Sequence, residues 1–270
     1  MRAHAPSAAD LAPGDHVCWR YSDDAAHRAA LAGYIAGGVR AGQKIVHYRA
    51  DAAEPDVPGA AAARRTGQFT SEPVDRTRPF DAGAWIAMLV EIIDAARRDG
   101  WTGVRFAGDM VWSLGHLADD KLLAYESRIN ALYAGTDAIG LCLYDVRRFE
   151  PAALGALGRV HPDTAHADGD GDRPLARVAA TDEPLGMRLT GEFDASNGGC
   201  LEPVLAGLAA RAAGAPLVVD VTGLEFADLS ALRTLVRAAG TVSGGLRIVG
   251  AGPTLQRIVE LCGRGPVEFA

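Results

Sequence analysis

In the stretch 217–236, LVVDVTGLEFADLSALRTLV, an apolar run ends at Asp220 and a turn follows. Asp228 and Ser230 then open a helix-like segment whose apolar face includes Leu232, Leu235 and Val236. Two roles suit a hydroxyl at that place. Ser230 or Asp228 can cap the helix, its oxygen accepting an orphan backbone N–H. Alternatively Ser230 is a phosphoacceptor, whose added dianion the helix dipole stabilises while the charge of the surrounding surface changes. Residue chemistry leaves both open.

The first half offers charged and aromatic residues just after strand-like runs: Asp109 and Trp112 after one, Asp145 with Arg147 and Arg148 after another. A phosphate loop is not among its features. GGVRAGQKI at Gly37 to Ile45 has Gln43 where the motif needs Lys and no Ser or Thr after it, and it runs from helix to strand, the reverse of the order that aims amides at phosphate. No nucleophile elbow or HExxH motif occurs, so a sensing or binding protein is expected in preference to an enzyme. Cys18, Cys142, Cys200 and Cys262 form no CxxC pair and read as buried thiols, with neither zinc site nor disulfide framework. The seven histidines are scattered; His16 and His161 flank the first half and could meet in space, in a hydrogen-bonded structural role. Asp168, Asp170 and Asp172 imitate the start of a calcium loop, but Arg173 replaces its glycine and Ala179 its final glutamate. No metal and no cofactor are expected.

These residues need a scaffold. Strand-like runs at Val17–Tyr21, Lys44–Arg49, Gly103–Ala107 and Ile139–Asp145 alternate with helical periodicity at Ala25–Arg40, Ala82–Asp99 and Asp119–Tyr133. Such alternation predicts a mainly parallel sheet covered by helices, with ligands at the carboxyl ends of its strands. His161 to Pro174, rich in Asp, Gly and Pro, reads as an exposed linker. After it, strands at Arg177–Ala180, Gly186–Glu192, Leu217–Val221, Leu246–Val249 and Val267–Phe269, with helices at Gly199–Ala212, Ser230–Thr241 and Thr254–Cys262, make a smaller α/β domain.

Composition agrees. The 270 residues, 49% hydrophobic and 23% charged, exclude a disordered or fibrous chain, and at roughly 150 residues per domain they suggest two units. The net charge of -7 lacks a basic stripe, which argues against nucleic acid, and residues 162–174 alone contribute -3 of it. Apolar runs fall far short of the ~20 residues a membrane helix needs. Asp10, Asp15, Asp23 and Asp24 stand where a signal-peptide core would be. A cytoplasmic protein without membrane contact is expected.

Residues 184–270 resemble a STAS domain, the fold of bacterial anti-sigma factor antagonists, through GEFDASN at 191–197, GLEFADLSALRTL at 223–235 and GLRIVGAGPTLQRIVELCG at 245–263. The resemblance implies that Ser230 is phosphorylated by a partner serine kinase that is also an anti-sigma factor, and that Asp194 and Asp228 join Ser230 in the partner-binding surface. Leu229 and Ala231 depart from the usual small polar residue and glycine. Residues 16–161 resemble the MEDS sensory domain through HVCWRYSDD at 16–24, GVRFAGDMVWSLG at 103–115, YESRINALY at 125–133 and LCLYDVRRFEP at 141–151. That family looks like a RecA/Rossmann-like core without a phosphate loop. It implies a small-ligand pocket, which we place around His16, Trp19, Asp109, Trp112, Glu126 and Asp145. The same residues could instead be core tryptophans and helix-capping or arginine-paired acids.

The expected protein is therefore a two-domain signalling regulator: a MEDS-like sensory domain at 1–161, a linker at 162–174 and a STAS domain at 175–270. Homo-oligomers remain open. A nucleotide-binding protein or enzyme using the first domain's strand ends, or a STAS scaffold in which Ser230 is only a helix cap, are the alternatives.

Overall fold

A computed structural model describes residues 7–53, 56–166, 176–263 and 265–270. In the first half, β1 (His16–Tyr21), α1 (Asp24–Ala41), β2 (Lys44–Arg49), α2 (Ala60–Arg65), β3 (Phe69–Pro73), α3 (Ala82–Arg98), β4 (Val104–Asp109), α4 (Asp119–Ala134), β5 (Ala138–Asp145), α5 (Pro151–Val160) and β6 (Asp163–His166) follow in turn. The strands lie in the order β3-β2-β4-β5-β1-β6, every neighbouring pair parallel. All eight residues of β5 are buried, as a strand covered on both faces requires. One face packs on α1 and α2 through Leu31, Tyr34, Ile35 and Ala63, the other on α3, α4 and α5 through Leu89, Ile93, Ile129 and Leu157.

Helix ends follow from local chemistry. Asp23 and Asp81 accept the backbone N–H groups of Ala26 and Ala84, and α1 ends at Gly42, whose φ of 67° a residue with a Cβ would resist. Gly140 on β5 has another reason: a Cβ there would lie 2.6 Å from the Tyr133 ring and 2.7 Å from that of His16.

The second half comprises β7 (Ala176–Asp182), β8 (Leu185–Phe193), α6 (Leu201–Ala212), β9 (Leu217–Ala227), α7 (Leu229–Ala239), β10 (Leu246–Val249), α8 (Pro253–Leu261) and β11 (Val267–Phe269). Its sheet runs β11-β10-β9-β8-β7, parallel except for the β7–β8 hairpin. Leu205, Leu208, Leu232, Leu235 and Val259 from the helices close its core over Met187, Val219 and Ile248.

One expectation is corrected. The segment read as an exposed linker begins with β6, which pairs with β1, and Asp163 and Ala165 in it are buried. Its polar composition conceals an edge strand. The calcium-loop residues Asp168, Asp170 and Asp172 lie outside the described residues. Cys262 is half-buried instead of buried; Cys18, Cys142 and Cys200 are buried as expected.

The two halves meet closely. Helix α6 crosses α4 at Gly207, where a Cβ would stand 2.3 Å from the Ala131 carbonyl oxygen. The Val178 N–H donates to the Pro162 carbonyl at 2.8 Å, and Arg177 lies 2.9 Å from the Asp163 carboxylate. Burial raises the Asp163 carboxyl to about 6 despite Arg177. Ala134 of α4 belongs to the core of the second half. Among the described residues no helix is long and apolar enough to cross a membrane.

Candidate functional site

Parallel strands end side by side, so polar residues at their carboxyl ends converge. A cleft of about 350 Å³ opens there, lined by Tyr21 from β1, Arg49 from β2, Asp109 from β4 and Asp145 from β5, with His27 from α1 and Arg147 beyond β5. Asp109 is its best-held charge. His27 Nε2 lies 2.7 Å and His47 Nε2 3.2 Å from its two oxygens, and His47 Nδ1 lies 3.1 Å from Ser71 Oγ. Burial pushes the Asp109 carboxyl up, but the two imidazoles outweigh it and hold it well below the usual carboxylate range. Arg147 contacts Asp145 and Asp24 at 2.7 Å each.

Where a phosphate loop would present free amides between β1 and α1, the chain places Asp23 and Asp24. Asp23 takes the Ala26 amide at 2.8 Å and Asp24 occupies the first turn. The helix N-terminus is already satisfied by carboxylate and repels phosphate.

The six residues placed in one pocket divide four ways. Asp109 and Asp145 line the cleft. Trp112 sits in an aromatic layer with Phe80, Trp85 and Tyr125, ring centroids 5.1–6.4 Å apart, over a cavity of about 30 Å³. That is room for one water, whereas the cleft is in the usual range for small ligands. Trp19 is buried on the opposite face of β1 from Cys18, in the core with Leu31 and Ile35.

His16 and Glu126 belong to a closed cluster with Cys142 and His161, all buried, whose ligand-type atoms lie within 4.8 Å of one another. Tyr144 donates to Glu126 Oε1 at 2.8 Å. Burial raises the Glu126 carboxyl, yet the neighbouring imidazoles hold it well below its usual range, while burial lowers His16 and raises the Cys142 thiol. Sequence reasoning missed Cys142 and His161 as partners of Glu126, and His27 and His47 as partners of Asp109. What the sequence does offer for the cleft is Asp109, Asp145, Arg147 and Arg148 just after strand-like runs, and these four residues are among its lining.

In the second half Asp228 is the cap of α7: its Oδ1 accepts the Ala231 N–H at 2.8 Å, and its Oδ2 accepts that of Ala195 at 3.0 Å. Asp194 organises the adjoining turn, accepting the Ser196 amide at 2.7 Å and hydroxyl at 2.6 Å, which hold its carboxyl below the usual range. Ser230, second residue of α7, is exposed, and among the described residues its hydroxyl has no hydrogen-bond partner. Phe226 and Leu229, 53% and 46% exposed, give this surface an apolar component.

Comparison with known families agrees with this division. The family described as the methanogen/methylotroph, DcmR sensory domain (MEDS) matches residues 15–162, more than half of the chain, and the family described as Mlab, STAS domain matches residues 176–265. Among curated proteins none matches. The parallel-sheet half is the sensory domain and the mixed-sheet half is the STAS domain: the chain belongs to the MEDS family and joins its sensory domain to a STAS domain.

Proposed function

We propose that the chain is a cytoplasmic regulator of the anti-sigma factor antagonist type, in which the MEDS domain senses a small polar molecule and the STAS domain passes its state to an anti-sigma factor kinase through Ser230. The observation that carries this reading is the division of labour at α7. Asp228 performs the capping, so the exposed Ser230 hydroxyl is left for another use. A phosphate there would add about two negative charges beside Asp228 and Asp194, enough to repel an acidic partner surface. Asp194 and Asp228 contribute by holding the loop 194–197 against the start of α7.

The cleft carries the sensory half of the reading. Its volume fits a small ligand, and Asp109 and Asp145 with Arg49 and Arg147 supply polar partners of both signs. Incubating the full chain with the cognate kinase and ATP, followed by phosphopeptide mapping, tests the output half. Phosphate on Ser230 supports it, and an unmodified Ser230 under conditions where the kinase is active contradicts it. One observation favours a second, enzymatic reading: Asp109 between two histidines resembles a positioned acid–base group. Calorimetry with ATP, GTP and small organic ligands separates the readings, since tight nucleotide binding abolished by Asp145→Ala would favour the second.

A further inference from the structure

His16 and His161 enter the closed cluster with their proton positions fixed by what lies behind them. His161 Nδ1 is 2.7 Å from the Leu157 carbonyl oxygen, which can only accept, so Nδ1 carries the hydrogen. His16 Nδ1 is 2.6 Å from Asn130 Oδ1. Asn130 is held in that orientation by its amide nitrogen, which donates to the Val160 carbonyl at 2.8 Å, so His16 Nδ1 is again the donor. In their neutral, metal-binding form both imidazoles therefore point an Nε2 lone pair forward, to a carboxylate and a sulfur. His16 Nε2 is 3.3 Å from Cys142 Sγ and 3.4 Å from Glu126 Oε2; His161 Nε2 is 3.5 Å from the same oxygen; Cys142 Sγ is 3.7 Å from it. His161 Nε2 is fully buried and, among the described residues, has no hydrogen-bond partner. Electron-rich atoms meet there with no donor of their own for that nitrogen.

We infer that His16 Nε2, His161 Nε2, Glu126 Oε2 and Cys142 Sγ form a closed tetrahedral site for a divalent d-block cation of the zinc class. Bonds of about 2.0–2.3 Å to a central ion place tetrahedral ligand atoms about 3.3–3.8 Å apart. Four of the six separations, given above, fall within that span, and the two from His161 Nε2 to His16 Nε2 and Cys142 Sγ lie within 4.8 Å, so loading draws His161 inward. The backing is also that of a metal site, where each ligating imidazole donates its other N–H to an oxygen and the ligating carboxylate is hydrogen-bonded, here by Tyr144. Two imidazoles, a thiolate and one carboxylate oxygen select against calcium and magnesium, which take oxygen ligands. Four protein ligands, all buried, leave no open position for Lewis-acid catalysis, so the ion would pin β1, α4, β5 and the residue after α5 together. Loading breaks the Cys142 S–H bond and forms the metal–sulfur bond, releasing the proton to solvent.

The test uses the full chain, stripped with a chelator and titrated with Co²⁺. The site predicts about one cobalt per chain, the visible absorption of a tetrahedral ion, a near-ultraviolet thiolate-to-cobalt band and a raised unfolding temperature. Cys142→Ser removes the near-ultraviolet band, while Cys18→Ser, on the same strand as His16 and outside the cluster, keeps it. A wild-type chain that is folded by circular dichroism yet takes up no stoichiometric cobalt overturns the site and leaves the cluster a proton-sharing histidine–carboxylate pair. A band unchanged in Cys142→Ser overturns the ligand set. If Cys142→Ser does not fold, the wild-type spectrum alone decides. None of these outcomes bears on phosphorylation of Ser230.

Discussion

Replacing Asp109 by Asn keeps the shape of the cleft floor and removes the charge that His27 and His47 contact. At neutral pH the loss of the His27 hydrogen bond and the His47 contact to this partly buried carboxylate costs about 2 kcal/mol, measurable by urea denaturation. The sign of its pH dependence follows from the depressed folded pKa. The carboxylate's contribution is complete above its unfolded value of about 3.9 and disappears as the pH falls through the lower folded value, so the gap between wild type and Asp109→Asn closes in acid. A second pair of substitutions separates capping from signalling. Asp228→Ala leaves the Ala231 and Ala195 amides without their acceptor and costs about 1 kcal/mol. Ser230→Ala, at an exposed position, changes stability by less than about 0.5 kcal/mol. If thermal denaturation shows the opposite order, Ser230 is the structural residue and the division of labour at α7 is wrong.

Helix α4 is the element that joins the sites. One side carries Glu126 and Asn130 into the buried cluster, and near its C-terminus Ala131 and Ala134 pack toward the STAS half. Gly207→Ala in α6 sets two effects against each other. Alanine favours the helix by about 1 kcal/mol over glycine, but its Cβ meets the Ala131 carbonyl at 2.3 Å, and backbone cannot rotate aside as a side chain can. The clash wins, and calorimetry of Gly207→Ala is expected to show a net loss of about 1–2 kcal/mol with helices α4 and α6 displaced. A stabilised variant would mean that the interface is looser than described. Legibility in the sequence also divided by element. Lys44–Arg49 and Val267–Phe269 stand at the residues expected, because short β-rich runs between turn signals define themselves. The six-residue α2 and five-residue β3 are too short to show a period, and β6 is hidden by the acidic composition around it. The capped start of α7 was legible because Asp228 and the helix it opens are contiguous along the chain. Of the histidine cluster only the meeting of His16 with His161, ring centroids 4.3 Å apart, was legible; Glu126 and Cys142 were not, because the members come from β1, α4, β5 and the end of α5, and only the parallel sheet brings them together.

For the whole molecule, the account is of an input domain and an output domain with a close-packed seam. Arg177 bridges to Asp163, and Gly207 seats α6 on α4, so the proposed ligand in the cleft and the proposed phosphate on α7 would act on one connected structure. The most direct test of the central claim is the affinity of the full chain for its cognate anti-sigma factor kinase, compared between the unmodified protein and protein phosphorylated at Ser230. The account predicts that phosphate weakens binding at least about a hundredfold, the equivalent of roughly 3 kcal/mol of like-charge repulsion. It also predicts that Ser230→Ala binds as the unmodified chain does and stays insensitive to kinase. Equal affinity of the phosphorylated and unmodified chains would contradict it.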